Sequence, residues 1–260
     1  MRFSLPERVS PEHGRSPRVL PEPARPEHVL NVVVILVAAG SGVRLGAAMP
    51  KAFAPLCGES LLAHALRGVF GCGEVGHVII VAPASHLDQA RDVAGLNRLD
   101  GHHPRVDVVA GGADRSASVE AGLAVLRDDD GIVLVHDVAR CLAPPDLFAR
   151  VIRAVREGHP AVVPGLPVTD TVKVVDDKGR VLDTPERESL RGIQTPQGFR
   201  REVLERAHAG CDSATDDAGL VERTGGHVRV VTGDHRALKI TSPLDLTLAK
   251  ALLQDGSYAG

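Results

Sequence analysis

Glycines and basic side chains occur together in the segment VAAGSGVRLGAAMPK, which ends at Lys51. Gly40, Gly42 and Gly46 favour a tight turn whose backbone N–H groups can approach a phosphate closely. Arg44 and Lys51 lie seven residues apart and bring two positive charges to this turn. The spacing of the glycines does not fit the dinucleotide-binding fingerprint. The Walker A motif does not fit either, because no Ser or Thr follows Lys51. The segment predicts a phosphate-binding loop of another kind; a tight turn with two solvated cations is the alternative.

An acidic residue, Asp137, lies in the sequence VHDVAR at the end of an apolar run. In proteins Mg²⁺ typically takes one or two carboxylates, and phosphate oxygens complete its coordination. Asp137 is therefore the predicted metal ligand. Two alternatives stay open at this point, a helix N-cap and a loop salt bridge between Asp137 and Arg140.

Composition and charge exclude several classes of protein. The formal net charge of the 260 residues is −3 and aromatic residues make up 2%, so the chain offers neither a basic field nor a stacking platform for nucleic acid. Its four cysteines have no C-x-x-C spacing, which favours reduced thiols in a cytoplasmic protein. No run of about 18 apolar residues occurs, so no transmembrane helix and no membrane partner is predicted.

The elements that must position these residues follow from hydrophobic periodicity. Short β-branched runs lie at residues 32–37, 78–81, 106–110, 132–136 and 161–164. Stretches of helical spacing separate them, for example Leu62, Leu66 and Val69 after Ser60. This alternation predicts an α/β fold with a doubly wound, mostly parallel sheet. The carboxyl ends of such strands line one crevice, where the glycine-rich loop, VHDVAR and the segment GGADRSAS would meet.

Three segments lie outside this alternation. Residues 1–28 are rich in Pro, Arg and Glu and are predicted to be a disordered extension that precedes a single domain over residues 29–257. Residues 167–191 contain two polar strands, TVKVV and RVLDT, around the turn DDKG, which predicts a protruding hairpin arm. Near the end of the chain, Thr215 is the predicted cap of one helix, and Ser242 with Asp245 is a capping signature for a last helix through Leu253.

Taken in order, the motifs resemble the 2-C-methyl-D-erythritol 4-phosphate cytidylyltransferases, which have a Rossmann-like fold. The resemblance runs from about Val32 to Leu253 and rests on AAGSGVRLG with the following PK, GGADRSASV, VHDVAR, PVTDTVK, TPQGF, ATDDA and LKITSPLDL. The first motif is common among nucleotidyltransferases, whereas the ordered set is specific. Ala113, Val138 and Cys141 differ from the residues common in the family.

The resemblance implies an enzyme that uses CTP, a sugar-alcohol phosphate acceptor and Mg²⁺. The catalytic residues that it implies are Arg44, Lys51, Asp137 and Lys239. The nucleotide contacts that it implies are Ala38, Ala39, Gly40, Gly42, Gly112, Ala113 and Ser118. Asp137 would hold the metal, and the acceptor contacts would be Asp137, Arg140, Thr171, Arg187 and Thr195. For Lys239, a strand-edge charge is the alternative, although only five of the 30 basic residues are lysines. Arg115 is expected either to brace the pocket or to touch the ligand.

The resemblance also implies an assembly, because family members exchange their arms within a homodimer. Thr171 and Arg187 would then complete the acceptor site of the partner subunit. A cytidylyltransferase that acts on ribitol 5-phosphate is the nearest alternative, and a catalytically silent nucleotide-binding module is the alternative from another class.

Overall fold

The computed structural model describes residues 30–40, 49–96, 104–210 and 214–255. The predicted extension, Gly42 and Arg44 lie outside these residues. Twelve strands occur in the described residues: β1 (Asn31–Val37), β2 (Pro55–Leu56), β3 (Glu59–Ser60), β4 (His77–Ala82), β5 (Arg105–Ala110), β6 (Asp130–Asp137), β7 (Ala161–Pro167), β8 (Val174–Val175), β9 (Val181–Asp183), β10 (Arg191–Ile193), β11 (Gln197–Arg200) and β12 (Arg229–Thr232). Seven α-helices accompany them there: α1 (Leu61–Phe70), α2 (Leu87–Leu96), α3 (Arg115–Leu123), α4 (Pro145–Arg156), α5 (Arg201–Gly210), α6 (Asp217–Arg223) and α7 (Pro243–Gln254).

The central sheet has the order β10-β7-β11-β6-β1-β4-β5, and β12 pairs with β7. Strands β6, β1, β4 and β5 run parallel, whereas β11 is antiparallel to both β6 and β7. In the register of β1, Val37 pairs with Asp137 on one side and with Val81 on the other. The parallel strands therefore end at one level, which brings their following loops together.

Buried side chains cover both faces of the sheet. Along β1, Val34 and Leu36 belong to one apolar cluster, while Val33 and Ile35 belong to the other. Helices α1, α2, α4 and α7 cover the first face, and α3, α5 and α6 cover the second. Both faces of a doubly wound sheet are buried, which explains why its strands are continuous apolar runs. The predicted α/β fold with a mostly parallel sheet is confirmed.

Capping residues set where several helices begin. The Ser60 hydroxyl accepts a hydrogen bond from Ala63 N at the start of α1. At α7, Ser242 and Asp245 form the predicted capping box. The prediction for α6 is wrong by one residue: Asp216, not Thr215, is its N-cap, because the Asp216 carboxylate accepts a hydrogen bond of 2.9 Å from Gly219 N.

The hairpin arm forms a two-stranded sheet of its own from β8 and β9, and these strands are shorter than predicted. Asp176 shapes the turn by accepting hydrogen bonds from the backbone N–H groups of Lys178 and Arg180. Four large apolar side chains on the two strands are 44 to 66% exposed: Val174, Val175, Val181 and Leu182. The arm thus presents apolar surface away from the core of its own chain.

A buried polar network lies at the amino end of the sheet, opposite to the carboxyl-end loops. The carboxylate of Asp130 accepts hydrogen bonds from Asn31 Nδ2 at 2.6 Å and from Arg127 N at 2.9 Å, and it lies 2.9 Å from His77 Nδ1. The other ring nitrogen of His77 lies 3.0 Å from Asp107 Oδ2. This network ties together the first residues of β1, β4 and β6.

No helix in the described parts of the chain is both long and apolar enough to cross a membrane.

Candidate active site

A cavity of about 410 Å³ lies at the carboxyl ends of β1, β5 and β6. The loops after these three strands form its walls, together with the start of the short turn Lys51–Phe53 and the segment around Lys239. Its lining includes Ala38, Ala39, Gly40, Lys51, Gly112, Ala113, Asp114, Arg115, Ser118, Asp137, Val138, Ala139, Lys239 and Thr241. Nine residues predicted from the sequence thus meet in one cavity.

Asp137 lies in the cavity wall as the last residue of β6. Its Oδ1 accepts a hydrogen bond of 3.2 Å from Arg115 Nε, and its Oδ2 lies 2.8 Å from Lys239 Nζ. Burial opposes ionisation of this carboxyl group, but the positive charges of Arg115 and Lys239 outweigh burial and hold its pKa well below the usual range. Asp137 is therefore a carboxylate at neutral pH. The two alternatives for Asp137, a helix N-cap and a salt bridge with Arg140, do not hold. Its side chain accepts no capping hydrogen bond, and its ion-pair partners are Arg115 and Lys239.

Arg115 connects the cavity wall to a second buried carboxylate. Its Nη1 lies 2.7 Å from Oδ2 of Asp217, a side chain that is 1% exposed. Burial disfavours the charged guanidinium, but Asp217 and Asp137 more than compensate and raise its pKa. Asp217 was not predicted as a site residue, although the motif ATDDA contains it. The signal that could have identified Asp217 is the pair of acids in ATDDA. One Asp suffices to cap α6, so the second needs another role.

Ser118 and two glycines shape the part of the cavity next to α3. The Ser118 hydroxyl donates to the carbonyl oxygen of Asp114 at 2.7 Å and accepts from Gly112 N at 3.2 Å. Ser118 is buried, so the alternative of a helix-surface residue does not hold. A Cβ atom on Gly111 would lie 2.5 Å from that of Ala39, which explains the glycine where the loops after β1 and β5 touch.

Lys51 opens a short turn that packs against the core. Its backbone N–H donates to the carbonyl oxygen of Gly40 at 3.4 Å, and the next two residues, Ala52 and Phe53, are buried. These contacts place the Lys51 side chain at the cavity wall. Gly42 and Arg44, the other predicted members of this loop, lie outside the described residues and stay predictions.

Two of the predicted acceptor contacts, Arg140 and Thr195, are engaged within the fold. The guanidinium of Arg140 donates to the carbonyl oxygens of Ala237 at 2.7 Å and Ile193 at 3.1 Å, which ties the loop after β6 to two other segments. The hydroxyl of Thr195 accepts a hydrogen bond of 3.1 Å from Asp137 N and lies 2.9 Å from His136 Nδ1. Neither residue belongs to the cavity wall, and both hold the backbone near Asp137 in place.

Two further predicted acceptor contacts, Thr171 and Arg187, lie on the arm and are exposed. Arg187 Nη1 donates to the carbonyl oxygen of Thr169 at 3.0 Å. Neither side chain lines the cavity of its own chain. The structure of a single chain therefore does not bring Thr171 and Arg187 to the predicted nucleotide contacts, whereas Asp137, the fifth predicted acceptor contact, lies among them.

Two of the three departures from the family's common residues fall on packed positions. Val138 and Cys141 are 2% and 1% exposed and belong to the larger apolar cluster. Burial raises the pKa of the Cys141 thiol to about 12, which makes it an unreactive packing residue.

The chemistry of the carboxylates at the cavity wall fits a magnesium ion that arrives with a polyphosphate. Asp137 is ionised and offers hard oxygen ligands. One carboxylate oxygen of Asp114 accepts the hydrogen bond that caps α3. Within the described residues, no group of three or more His, Cys, Asp or Glu side chains could hold a metal. Such an ion would therefore take most of its ligands from phosphate and water oxygens.

Comparison with known proteins shows which family this chain is similar to. The family model described as 2-C-methyl-D-erythritol 4-phosphate cytidylyltransferase matches residues 32–255. Among curated proteins, the 2-C-methyl-D-erythritol 4-phosphate cytidylyltransferase of Rhodococcus opacus (strain B4) is 51% identical over 228 residues, which cover 87% of this chain and 97% of the relative. The protein of the same name from Saccharopolyspora erythraea is 50% identical over 229 residues and covers 86% of this chain and 100% of the relative.

Two solved structures are similar to this chain over most of its length. The 4-diphosphocytidyl-2C-methyl-D-erythritol synthase from Anaerococcus prevotii superposes with a TM-score of 0.76 at 30% identity and covers 86% of this chain and 96% of its own. The 2-C-methyl-D-erythritol 4-phosphate cytidylyltransferase from Thermus thermophilus gives a TM-score of 0.67 at 34% identity, with 86% and 99% coverage. The chain belongs to the 2-C-methyl-D-erythritol 4-phosphate cytidylyltransferase family, a family of nucleotidyltransferase enzymes.

Proposed function

We propose that this chain transfers the CMP group of CTP to 2-C-methyl-D-erythritol 4-phosphate, giving 4-diphosphocytidyl-2-C-methyl-D-erythritol and pyrophosphate. Membership of the family supports this reaction. The observation that carries it is the meeting of Lys51, Asp137 and Lys239 at one cavity wall, where the loops after β1, β5 and β6 converge.

The chemistry needs alignment and charge rather than a general base. The second pKa of a phosphate monoester is near 6, so the acceptor phosphate is largely dianionic at pH 7. One of its oxygens attacks the α-phosphorus of CTP, the bond from that phosphorus to the bridging oxygen of the β-phosphate breaks, and pyrophosphate leaves with the electron pair. Lys51 and Lys239, together with Arg44 of the same loop, offset the repulsion between the two anionic reactants.

The nucleotide half of the reaction is assigned to the backbone of two loops. Ala38, Ala39 and Gly40 follow β1, and Gly112 and Ala113 follow β5; small side chains at these positions leave backbone groups accessible to a base or a ribose. Ser118 is hydrogen-bonded to Gly112 N and so holds the second loop in position.

Asp137 is the residue that would hold Mg²⁺ in this reaction. When bound, the ion supplies positive charge to the phosphate oxygens that become more negative as the bond to pyrophosphate breaks. The chain's own contribution is an ionised carboxylate at the end of β6, held by the hydrogen bond from its backbone N–H to Thr195 and flanked by Arg115 and Lys239.

The acceptor half is assigned to the arm of a second subunit in a homodimer. The arm presents Thr171 and Arg187 to solvent, and β8 and β9 carry exposed Val175 and Leu182. An isolated two-stranded hairpin is marginally stable in water, so contact with a partner would stabilise it. Exchange of arms would bring Arg187 to the cavity of the other chain.

The proposed setting is the cytoplasm, with small-molecule substrates and neither nucleic acid nor membrane as a partner. The four cysteines of the sequence have no C-x-x-C spacing, which supports reduced thiols and a reducing compartment. The net charge of −3 gives no general attraction to nucleic acid.

Pyrophosphate release tests the proposed function directly. The purified chain is mixed with CTP and Mg²⁺ and with 2-C-methyl-D-erythritol 4-phosphate or ribitol 5-phosphate as the acceptor, and the product is identified by mass. We expect release with the first acceptor, no more than background with the second, and loss of release when EDTA is added. Equal or faster release with ribitol 5-phosphate would favour the alternative reaction. No release with either acceptor would favour the silent nucleotide-binding module.

A further inference from the structure

A buried acid, Asp217, lies directly behind the cavity wall. Asp217 is the first residue of α6, and its side chain is 1% exposed. Its Oδ2 lies 2.7 Å from Arg115 Nη1, and its Oδ1 lies 3.1 Å from Nε2 of His208 on α5. Asp217 does not line the cavity and therefore touches no ligand there.

Arg115 is shared between two carboxylates through different nitrogens. Nε reaches Asp137 at 3.2 Å, while Nη1 reaches Asp217 at the shorter distance of 2.7 Å. The fixed, planar fork of a guanidinium allows both contacts at once and sets its orientation. Asp217 therefore limits how far Arg115 can close on Oδ1 of Asp137.

In the ion-pair network of Asp137, Arg115, Lys239 and Asp217, positive and negative charges balance only when Asp217 is counted. Asp137 and Asp217 carry two negative charges, and Arg115 and Lys239 carry two positive charges. Without the charge of Asp217, the carboxylate of Asp137 would face two cations with no second acid to share them. Such an excess of positive charge disfavours a divalent cation at the same carboxylate.

We propose that Asp217 is a positioning residue that holds Arg115 back from Asp137 and thereby keeps Asp137 able to bind a divalent cation. This inference rests on the proposed function, since it assigns the cation to Asp137. Asp217 is the first residue of α6 and is buried between Arg115 and His208, which contact its two carboxylate oxygens.

The test is a double-variant cycle read by Mn²⁺ binding rather than by turnover. Mn²⁺ is titrated in the presence of CTP and followed by electron paramagnetic resonance for the wild type, Asp217→Asn, Arg115→Gln and the double variant. We expect Asp217→Asn to weaken Mn²⁺ binding about tenfold, because the guanidinium of Arg115 loses its second carboxylate and then competes with the cation for Oδ1 of Asp137. In the Arg115→Gln background, the same change should alter Mn²⁺ affinity less than about twofold, because the competitor of the metal is absent.

Two controls separate positioning from packing. Asp217→Glu keeps the charge and should recover most of the Mn²⁺ affinity. His208→Gln removes the other partner of Asp217, leaves Arg115 paired, and should bind Mn²⁺ like the wild type. Affinity for CTP without metal, measured by calorimetry, should stay within about twofold in Asp217→Asn, because excess positive charge does not weaken the binding of an anion.

The result that overturns the inference is equal weakening by Asp217→Asn in both backgrounds, or no weakening in either. Parallel loss of metal-free CTP binding and Mn²⁺ binding would also overturn it, since that marks a general loss of structure. If Asp217→Asn alone does not fold, Asp217→Ser takes its place in the cycle, and weakening with Arg115 present but not in the Arg115→Gln background is again the expected result. Failure of the proposed function is seen separately, as the absence of pyrophosphate release by the wild type.

Discussion

At the scale of single residues, Asp137 lies between two cations that are held very differently. Arg115 is tied to Asp217, whereas the Lys239 side chain is 44% exposed and reaches Asp137 from the cavity rim. A flexible ammonium can change partners more easily than a guanidinium held by two carboxylates. We therefore expect Lys239 to leave Asp137 for the phosphates of a bound nucleotide, while Arg115 stays.

Asp137→Asn should lower Mg²⁺-dependent pyrophosphate release by about 100- to 1000-fold, because the amide keeps the shape of the side chain and removes the charge that the cation needs. The fold should survive, since Arg115 keeps its ion pair with Asp217 and the Lys239 side chain stays solvated. Mg²⁺ titrations of the rate and thermal unfolding measure the two effects. A rate and a metal requirement like those of the wild type would show that Asp137 is structural only.

Lys239→Ala should lower turnover about 100-fold with little change in the thermal midpoint, because this exposed side chain contributes charge to the reacting phosphates and no core packing. Lys250→Ala on α7 is the matched control, since Lys250 is also exposed and does not line the cavity. Equal activity of the two variants would remove Lys239 from the catalytic residues.

At the scale of secondary-structure elements, the last helix begins at a capping box that also carries a pH dependence. The Asp245 carboxylate accepts hydrogen bonds from Thr241 N and Thr241 Oγ1, both at 2.8 Å, and from Ser242 N at 2.7 Å. These bonds, chiefly the one from the Thr241 backbone, lower the pKa of Asp245 to about 2. A carboxyl group whose pKa falls on folding stabilises the protein above its unfolded pKa, and that contribution is lost as the pH falls through the folded pKa.

Asp245→Asn should destabilise the protein at pH 7 by about 1 kcal/mol, the usual cost of losing a helix cap. The difference in unfolding free energy between wild type and variant should shrink as the pH falls from about 4, the pKa of an unfolded Asp, to about 2. Chemical denaturation at several pH values measures it. A constant difference over this range would show that the ionised carboxylate is not what holds the cap.

The polar network at the amino end of the sheet is a second element-scale device, which joins β1, β4 and β6. Asp130→Asn should destabilise the fold by about 1 to 3 kcal/mol, because a buried acceptor in contact with His77 is weakened. The KM for CTP should not change, since Asp130 and Asp137 lie at opposite ends of β6. Asp128→Asn, at an exposed residue nearby, is the matched control and should leave stability unchanged within about 0.5 kcal/mol. Equal stability of the two variants would contradict this role of the network.

At the scale of the whole molecule, a single chain holds the described nucleotide contacts in its cavity and two of the five predicted acceptor contacts, Thr171 and Arg187, on its arm. Lys51 lines the cavity, and Arg187 lies on the arm and does not. If arms are exchanged in a homodimer, each site takes Lys51 from one chain and Arg187 from the other. Two inactive chains can then complement each other.

A mixture of Lys51→Ala and Arg187→Ala chains should regain about a quarter of the wild-type activity. Random pairing makes about half of the dimers mixed, and each mixed dimer has one complete site out of two. Pyrophosphate release after subunit exchange, with exchange verified by native mass spectrometry, measures the recovery. No recovery after verified exchange would rule out the shared site, as would full activity of a monomer in sedimentation-controlled assays.

Local patterns in the sequence determined much of this protein. The β-branched runs became strands β1, β4, β5, β6 and β7. The central strands β1, β4 and β6 are mostly apolar, because a strand buried on both faces must exclude most polar side chains. Asp137 could be chosen because it ends such a run, and a strand end leads to the crevice. The capping box of α7 was predictable since its two residues are three positions apart and bond each other's backbone.

Only the tertiary structure decided which distant side chains meet. Strand β11 is four residues long and lies antiparallel between β6 and β7, a position that no local pattern of QGFR indicates. The pairing of Arg115 with Asp217 depends on how α3 and α6 pack on the same face of the sheet. Such pairings join residues far apart in the chain, and periodicity reports only on neighbours within a turn or a strand. The motifs of the sequence, through the family resemblance, therefore predicted nine of the cavity residues, and the packing of the helices determined how their charges are balanced.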